Sequence, residues 1–484
     1  MKNALAAGFD AVELHLTNGY FFASFISGRT NRRTDSYGGT FEGRMKLPLE
    51  IISMIKREIG PDYPLLARVS VNEVNRGRGL EESRLVACAL ADAGIDIMDF
   101  NIGSMCEYSL EFPPYTYEQG FSLSEMEELR RSLDIPVIAG GRVTEPVMAE
   151  QILKDNRADL VYVNRQHLAD PEWVKKAASK QTRLIRRCIG CTRCIASLRT
   201  GSVVCSVNPF VGHEAEWKLT RSTQPKNIVV VGGGPAGLQA ASAAAQQGHN
   251  VTLLEKSDTL GGNARAAAMP PMKWEISGLI STLAYECELY GVKVCLNSEA
   301  CRQSISALKP DRVILTTGAL PVIVPIPGAE NLIPAIELLE GRAWVGQKVA
   351  IVGGGMIGLD TADFLTDYNR DITIFEMRAE AGMDMWLAPK LEVLRHLKQS
   401  NVVINTSCEV IAIDNGRLTY RKDGGQVSEK FDSVVLAAGM VSYNPLEKEL
   451  KNAGMTVTLI GDALSPTRFQ EALVSALEAV LNDE

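Results

Sequence analysis

A glycine fingerprint occurs twice in this chain, and no other feature restricts its fold so strongly. The stretch KNIVVVGGGPAGLQAASAAAQQGHNVTLLEK reads as an apolar strand, a glycine turn, a small-residue helix and a second strand ending in an acid. The pattern returns as QKVAIVGGGMIGLDTADFLTDYNRDITIFEM, so that Gly232, Gly234, Gly237 and Glu255 recur at one constant offset as Gly353, Gly355, Gly358 and Glu376. The glycines permit a tight turn and let a pyrophosphate approach the backbone at a helix N-terminus. The acid, 18 residues after the third glycine in both copies, can accept hydrogen bonds from ribose hydroxyls. The pattern predicts two nested Rossmann-like dinucleotide-binding domains. The second is inserted into the first, because IGDA at 460–463 returns to a flavin-type motif. Residues 225–335 and 431–484 are expected to form the first domain and 336–430 the second.

The first copy is assigned to FAD, since Leu260–Gly261–Gly262 follows its second strand and Asp462 offers a carboxylate to a ribityl chain. The second copy then takes a nicotinamide nucleotide. Glu376 would repel a 2′-phosphate, which favours NADH; Arg378, two residues on, keeps NADPH as the lesser alternative.

Between 181 and 224 lies a cysteine segment and a polar connector. Its run, Cys188, Cys191, Cys194 and Cys205, reads C-x2-C-x2-C-x10-C. Thiolates at this spacing can wrap one iron–sulfur cluster, and an all-cysteine zinc site uses similar spacing. Zinc moves no electrons, so the setting between redox-cofactor modules favours the cluster. The other six cysteines are scattered, which argues against a disulfide framework. A net charge of −8 argues against nucleic acid as a partner. No apolar run approaches the roughly 18 residues of a membrane span. Asp10 and Glu13 interrupt the apolar N-terminal stretch, so a signal peptide is not expected and the reading is cytoplasmic.

Residues 1–180 alternate short apolar strands (DAVELHL, PLLARVSV, DIMDFNI, PVIAGG, DLVYVN) with helical stretches. That alternation predicts a parallel β/α fold. His15, Arg68, Gly140, Gly141, Asn164 and Arg165 cluster at the strand ends, where a β/α barrel carries its site. Five strands cannot close an eight-stranded barrel, so the expectation is a partial (β/α)8 TIM barrel, its last five strands, with the start missing. His15 and Asn18 can donate to a carbonyl oxygen and Tyr20 can supply a proton. Arg68 could stabilise negative charge on a reduced flavin, and the two glycines with Asn164 and Arg165 could form a phosphate cradle.

GFDAVELHLTNGYFFASFIS with NRRTDSYGGTFEGR closely resembles the barrel of the old yellow enzymes. The order barrel, four cysteines, FAD domain, NAD(P) domain resembles the larger members: 2,4-dienoyl-CoA reductase, 2-enoate reductase, the bile-acid-inducible oxidoreductases and trimethylamine dehydrogenase. The resemblance implies FMN in the barrel, a [4Fe–4S] cluster and FAD. It implies that His15 and Asn18 hold a substrate carbonyl, that Tyr20 is the proton donor, and that Arg68 lies near the flavin pyrimidine. The Gly141 and Arg165 loops would meet the FMN phosphate, although Asn164 stands where the family has glycine. The spacing from Cys191 to Cys194 is one residue shorter than a common family pattern. The expected activity is NADH-dependent reduction of an activated C=C bond in a small unsaturated carbonyl compound. Electrons would run from NADH to FAD, the cluster, FMN and substrate, and by analogy the enzyme would form a homo-oligomer. The alternatives are an amine dehydrogenase of the same family and an NADH-driven electron-transfer module.

Overall fold

The computed structural model describes residues 1–74 and 77–482. The chain divides into two compact units, Met1–His167 and Leu168–Glu484.

The first unit is built on five parallel strands: β1 (Val12–Leu16), β2 (Leu65–Ser70), β3 (Ile97–Asn101), β4 (Val137–Ala139) and β5 (Leu160–Val161). They pair in sequence order, as successive β/α units of a barrel do. Side chains alternate between the two faces of a strand. One face carries Leu16, Ala67, Val69, Met98, Phe100, Val137 and Ala139, all buried in the core against the helices. The opposite face carries His15, Arg68 and Asp99, which stand in one register row. The long helix Phe41–Ile59 begins at Thr40, whose side chain accepts from the Gly43 N–H. Lys56 and Arg57 in its last turn complement its dipole, and Gly60 follows with φ +92°.

The second unit contains two five-stranded parallel sheets. In the first, Val457–Leu459, Arg312–Leu315, Asn227–Val231, Asn250–Leu254 and Lys293–Cys295 lie in that order. The helix Pro235–Gln246 packs on this sheet so closely that every residue from Ala236 to Ala244 is buried, which its run of Ala, Gly and Ser allows. The second sheet orders Ile333–Pro334, Ser433–Leu436, Lys348–Val352, Asp371–Phe375 and Val403–Asn405. An antiparallel three-stranded sheet, Glu409–Asp414, Arg417–Lys422 and Gly425–Lys430, extends this module.

One boundary differs from the sequence reading. Ser433–Leu436 pairs with Lys348–Val352 of the second sheet, so the chain returns to the first sheet at Val457, not at 431. Val434 and Leu436 sit in the core of the inserted module, beside Ala350, Phe375 and Phe431. Residues 168–180 pack with the second unit. Ala169 lies in the second unit's core, and Asp170 accepts from the Arg186 N–H at 3.0 Å and pairs with Lys176 at 2.7 Å.

Candidate active site and redox-cofactor sites

The end of β1 brings three of the expected residues together. His15 and Tyr20 have ring centroids 5.2 Å apart. Asn18 between them takes φ 58°, a left-handed conformation that asparagine tolerates better than most residues. The Asn18 amide is fixed by its neighbours: Asn101 Nδ2 donates to its Oδ1 at 2.6 Å, and Asn101 Oδ1 accepts from the Thr17 hydroxyl at 2.6 Å. With its oxygen engaged, Asn18 keeps its NH2 as the group that can donate to a ligand. Burial lowers the His15 pKa, and Arg68 lowers it further, so the imidazole is neutral at pH 7 and donates one N–H. Tyr20 is half exposed.

Arg68 pairs with the buried Asp99 at 2.9 Å and lies 5.1 Å over the Tyr162 ring. Desolvation pushes the Asp99 carboxyl up to about 7 in spite of the arginine beside it. Asp99 and Asn101 were not singled out from the sequence. Both lie on β3, and Asp99 stands in one register row with Arg68 on the neighbouring β2 and His15 on β1 beyond it, which was the available signal.

The phosphate candidates follow two neighbouring strands, β4 and β5. Gly141 has φ +126°, and a side chain on Gly140 would run into the Tyr162 ring at 2.8 Å. Asn164 opens the helix Asn164–Ala169 without positive φ, so the turn does not need the glycine that the resemblance led one to expect there. Arg165 Nη2 donates to the Pro113 carbonyl at 2.7 Å. Its Nη1 is buried with no partner among the described residues, a donor that an FMN phosphate would satisfy.

The two glycine fingerprints fold alike. Gly232 and Gly353 both take φ +110°, and Gly237 and Gly358 leave no room for a Cβ against the carbonyls of Gly232 and Gly353. Glu255 accepts from the Gly233 and Ser257 N–H groups, both at 2.7 Å. Glu376 accepts from Gly354 at 2.7 Å and Arg378 at 2.8 Å. Each carboxylate is thereby held at the end of its strand, where ribose hydroxyls would be received. Gly234 is extended, and a Cβ there would meet no described atom within 4 Å. A glycine there leaves the turn open to the approach of a ligand. A Cβ on Gly262, φ +50°, would come within 3.3 Å of Gly234. Asp462 accepts from the Thr467 N–H at 3.0 Å, and burial raises its pKa.

Of the four cysteines of the run, Cys194 is buried, and Cys188, Cys191 and Cys205 pack against the core of the second unit. Burial pushes the Cys205 thiol up, Cys188 and Cys191 add to this, and the Val207 and Asn208 N–H groups at its sulfur oppose it. Amides aimed at a thiolate suit an anionic metal cluster. Among the described residues, no three ligand-type side chains converge closely enough to hold a single metal ion. No described helix is long and apolar enough to cross a membrane.

Residues 1–183 match the NADH:flavin oxidoreductase / NADH oxidase family, and 212–274 and 226–461 match the pyridine nucleotide-disulphide oxidoreductases. The chain is 37% identical to an NADH oxidase of Thermoanaerobacter brockii over 98% of this chain and 75% of that one. It is 31% identical to a cinnamate reductase of Clostridium sporogenes over 99% of this chain and 75% of the relative. A 2-naphthoyl-CoA reductase structure superposes with a TM-score of 0.95 at 28% identity, over 99% of this chain and 74% of that one. Amine dehydrogenases are also among its relatives.

Proposed function

Because this chain belongs to the NADH:flavin oxidoreductase / NADH oxidase family, we propose that it is an NADH-dependent reductase of activated C=C bonds. Its substrate would be an enoate, an enone or a dienoyl thioester. The observation that carries this reading is the grouping of His15, Asn18 and Tyr20 at the end of β1, with Asn18 locked by Asn101. A cinnamate reductase and a 2-naphthoyl-CoA reductase among similar proteins support the substrate class.

When bound, FMN and FAD supply hydride chemistry, and a [4Fe–4S] cluster supplies one-electron transfer between them. The residues of this chain do the rest. Arg165 Nη1 and the Gly140–Gly141 turn hold the FMN phosphate. Glu255 and the first glycine turn hold FAD, and Glu376 with the second turn receives NADH. Cys188, Cys191, Cys194 and Cys205 supply the cluster's thiolates. The setting of this segment between two redox-cofactor modules, where zinc would move no electrons, supports a cluster over a single zinc. In the barrel, the neutral His15 N–H and the Asn18 NH2 donate to the substrate's carbonyl oxygen and hold its developing negative charge. Tyr20 then delivers the proton to the α-carbon. Arg68, positioned by Asp99, stabilises negative charge that develops beside it.

Tyr20→Phe tests the reading. Stopped-flow reduction of the bound flavins by NADH should keep its wild-type rate, while enone reduction slows by roughly 10²-fold or more. Equal loss in both steps would remove Tyr20 from the role. An enzyme of the amine-oxidising kind would instead reduce its flavins with a secondary amine and leave every enone and enoyl thioester untouched.

A further inference from the structure

The two fingerprints differ where their helices open, the first on Pro235, which has no N–H, and the second on Met356. In the first, helix Pro235–Gln246 opens on an unobstructed Gly234, and Asn263 in the facing loop turns its amide to the Ala319 carbonyl at 3.1 Å. In the second, the loop is anchored in the same way, Gly382 N–H donating to the Gly354 carbonyl at 2.7 Å as Gly261 does to Gly233 at 2.8 Å. Beyond that anchor, Met383 and Asp384 stand where the first copy has Gly262 and Asn263. Both Asp384 carboxylate oxygens accept from the Met356 N–H, at 2.9 and 3.1 Å. Met356 is the first residue of helix Met356–Thr366, and its N–H is one of the donors that such a turn offers to a dinucleotide pyrophosphate. Two residues beyond Asp384, the Trp386 ring meets two guanidinium groups, 4.7 Å from Arg193 and 4.2 Å from Arg468. Arg193 is tied in turn to Gln470 and Glu471. The loop is thus held at both ends with its carboxylate in the mouth of the nucleotide site.

We infer that Asp384 is a built-in competitor for the nicotinamide nucleotide, an anion that the pyrophosphate must displace, and that it thereby sets the affinity of the second site. The inference rests on the reading of that fingerprint as the NADH site. The clamp on Trp386 keeps the carboxylate in place; the nucleotide displaces the side chain without unseating the loop. Asp384 is therefore an affinity-setting residue and takes no part in hydride transfer.

Calorimetric titration of the purified chain with NAD⁺, ADP and adenosine tests this. Asp384→Asn keeps a side-chain acceptor near Met356 and removes the charge; Asp384→Ser serves as a second variant should the first be poorly folded by circular dichroism. NAD⁺ and ADP should bind roughly three- to tenfold more tightly to either variant, while adenosine, which has no phosphate, binds unchanged. The gain should shrink at high salt as the charges are screened. Unchanged or weaker NAD⁺ binding in both folded variants would overturn the role of Asp384. Failure of wild type and variants alike to bind NAD⁺ or ADP would overturn the NADH reading beneath it.

Discussion

Arg68 and Asp99 stand at paired positions on neighbouring strands and meet as an ion pair at 2.9 Å, on the strand face that also carries His15. The pair is unequal. Burial of Asp99 outweighs the attraction of the arginine and raises the carboxyl to about 7. The folded protein therefore binds this proton more tightly than the unfolded chain does. Its contribution to stability is full below about pH 4, where the proton is bound in both states, and is lost as pH rises through about 7. Denaturant unfolding at pH 4.5 and 7.5 should show wild type losing on the order of 2 kcal/mol relative to Asp99→Asn, which has no proton to release. Parallel pH profiles for the two proteins would remove Asp99 as the cause.

Asn101 orients Asn18 without being assigned contact with substrate. In Asn101→Ala the Asn18 amide loses its 2.6 Å donor and gains freedom to rotate. Enone reduction should fall by roughly tenfold, with flavin content and the rate of flavin reduction by NADH unchanged. Asn101→Asp, which offers no amide donor, should resemble the alanine variant; wild-type activity in both would show that Asn18 needs no support.

Much of this layout was legible in the sequence because it depends on local rules. Gly353 must be glycine because it takes φ +110° within one turn, and Glu376 faces that turn from the end of the adjacent strand. His15, Asn18 and Tyr20 lie within six positions of one another. What escaped depends on distant pairing. Asn101 reaches Asn18 only through the β1–β2–β3 order, and Ser433–Leu436 joins the second sheet only because its register fits Lys348–Val352. Asp384 escaped for another reason: its identity is ordinary, and only its position over Met356 gives it meaning.

The cysteine segment is fastened to its domain by a buried pair. Arg186 meets Glu286 through two hydrogen bonds, at 3.2 and 2.8 Å, and also donates to Gln239 and to the carbonyl of Val207, whose N–H lies at the Cys205 sulfur. Glu286→Ala strands the arginine charge and should cost about 3–5 kcal/mol in thermal or denaturant unfolding. Glu286→Gln, which still accepts a hydrogen bond, should cost less. A neutral effect of the alanine variant would mean that the arginine finds water or another partner.

Metal content separates the two readings of the cysteines. Anaerobic purification followed by iron, sulfide and zinc analysis should give about four iron atoms and four sulfides per chain, with a broad absorbance near 400 nm that bleaches on reduction. Cys205→Ser removes the thiolate that the Val207 and Asn208 amides face, and should lower the iron content while FAD binding is kept. One zinc per chain and no sulfide would leave the segment a structural clip and remove the one-electron route.

Nucleotide choice should turn on Glu376. Its carboxylate is fixed by the Gly354 and Arg378 N–H groups at 2.7 and 2.8 Å, the place where a 2′-phosphate would otherwise sit. Glu376→Gln removes the repulsion while keeping an acceptor for the ribose, and Arg378, two residues on, is already at hand to pair with a phosphate. The ratio of kcat/KM for NADH over NADPH, measured as flavin reduction, should fall by roughly tenfold or more. The fall should come chiefly from a lower KM for NADPH, because the change concerns binding and not the transfer itself. A ratio unmoved by the substitution would place the ribose elsewhere and require another residue to discriminate.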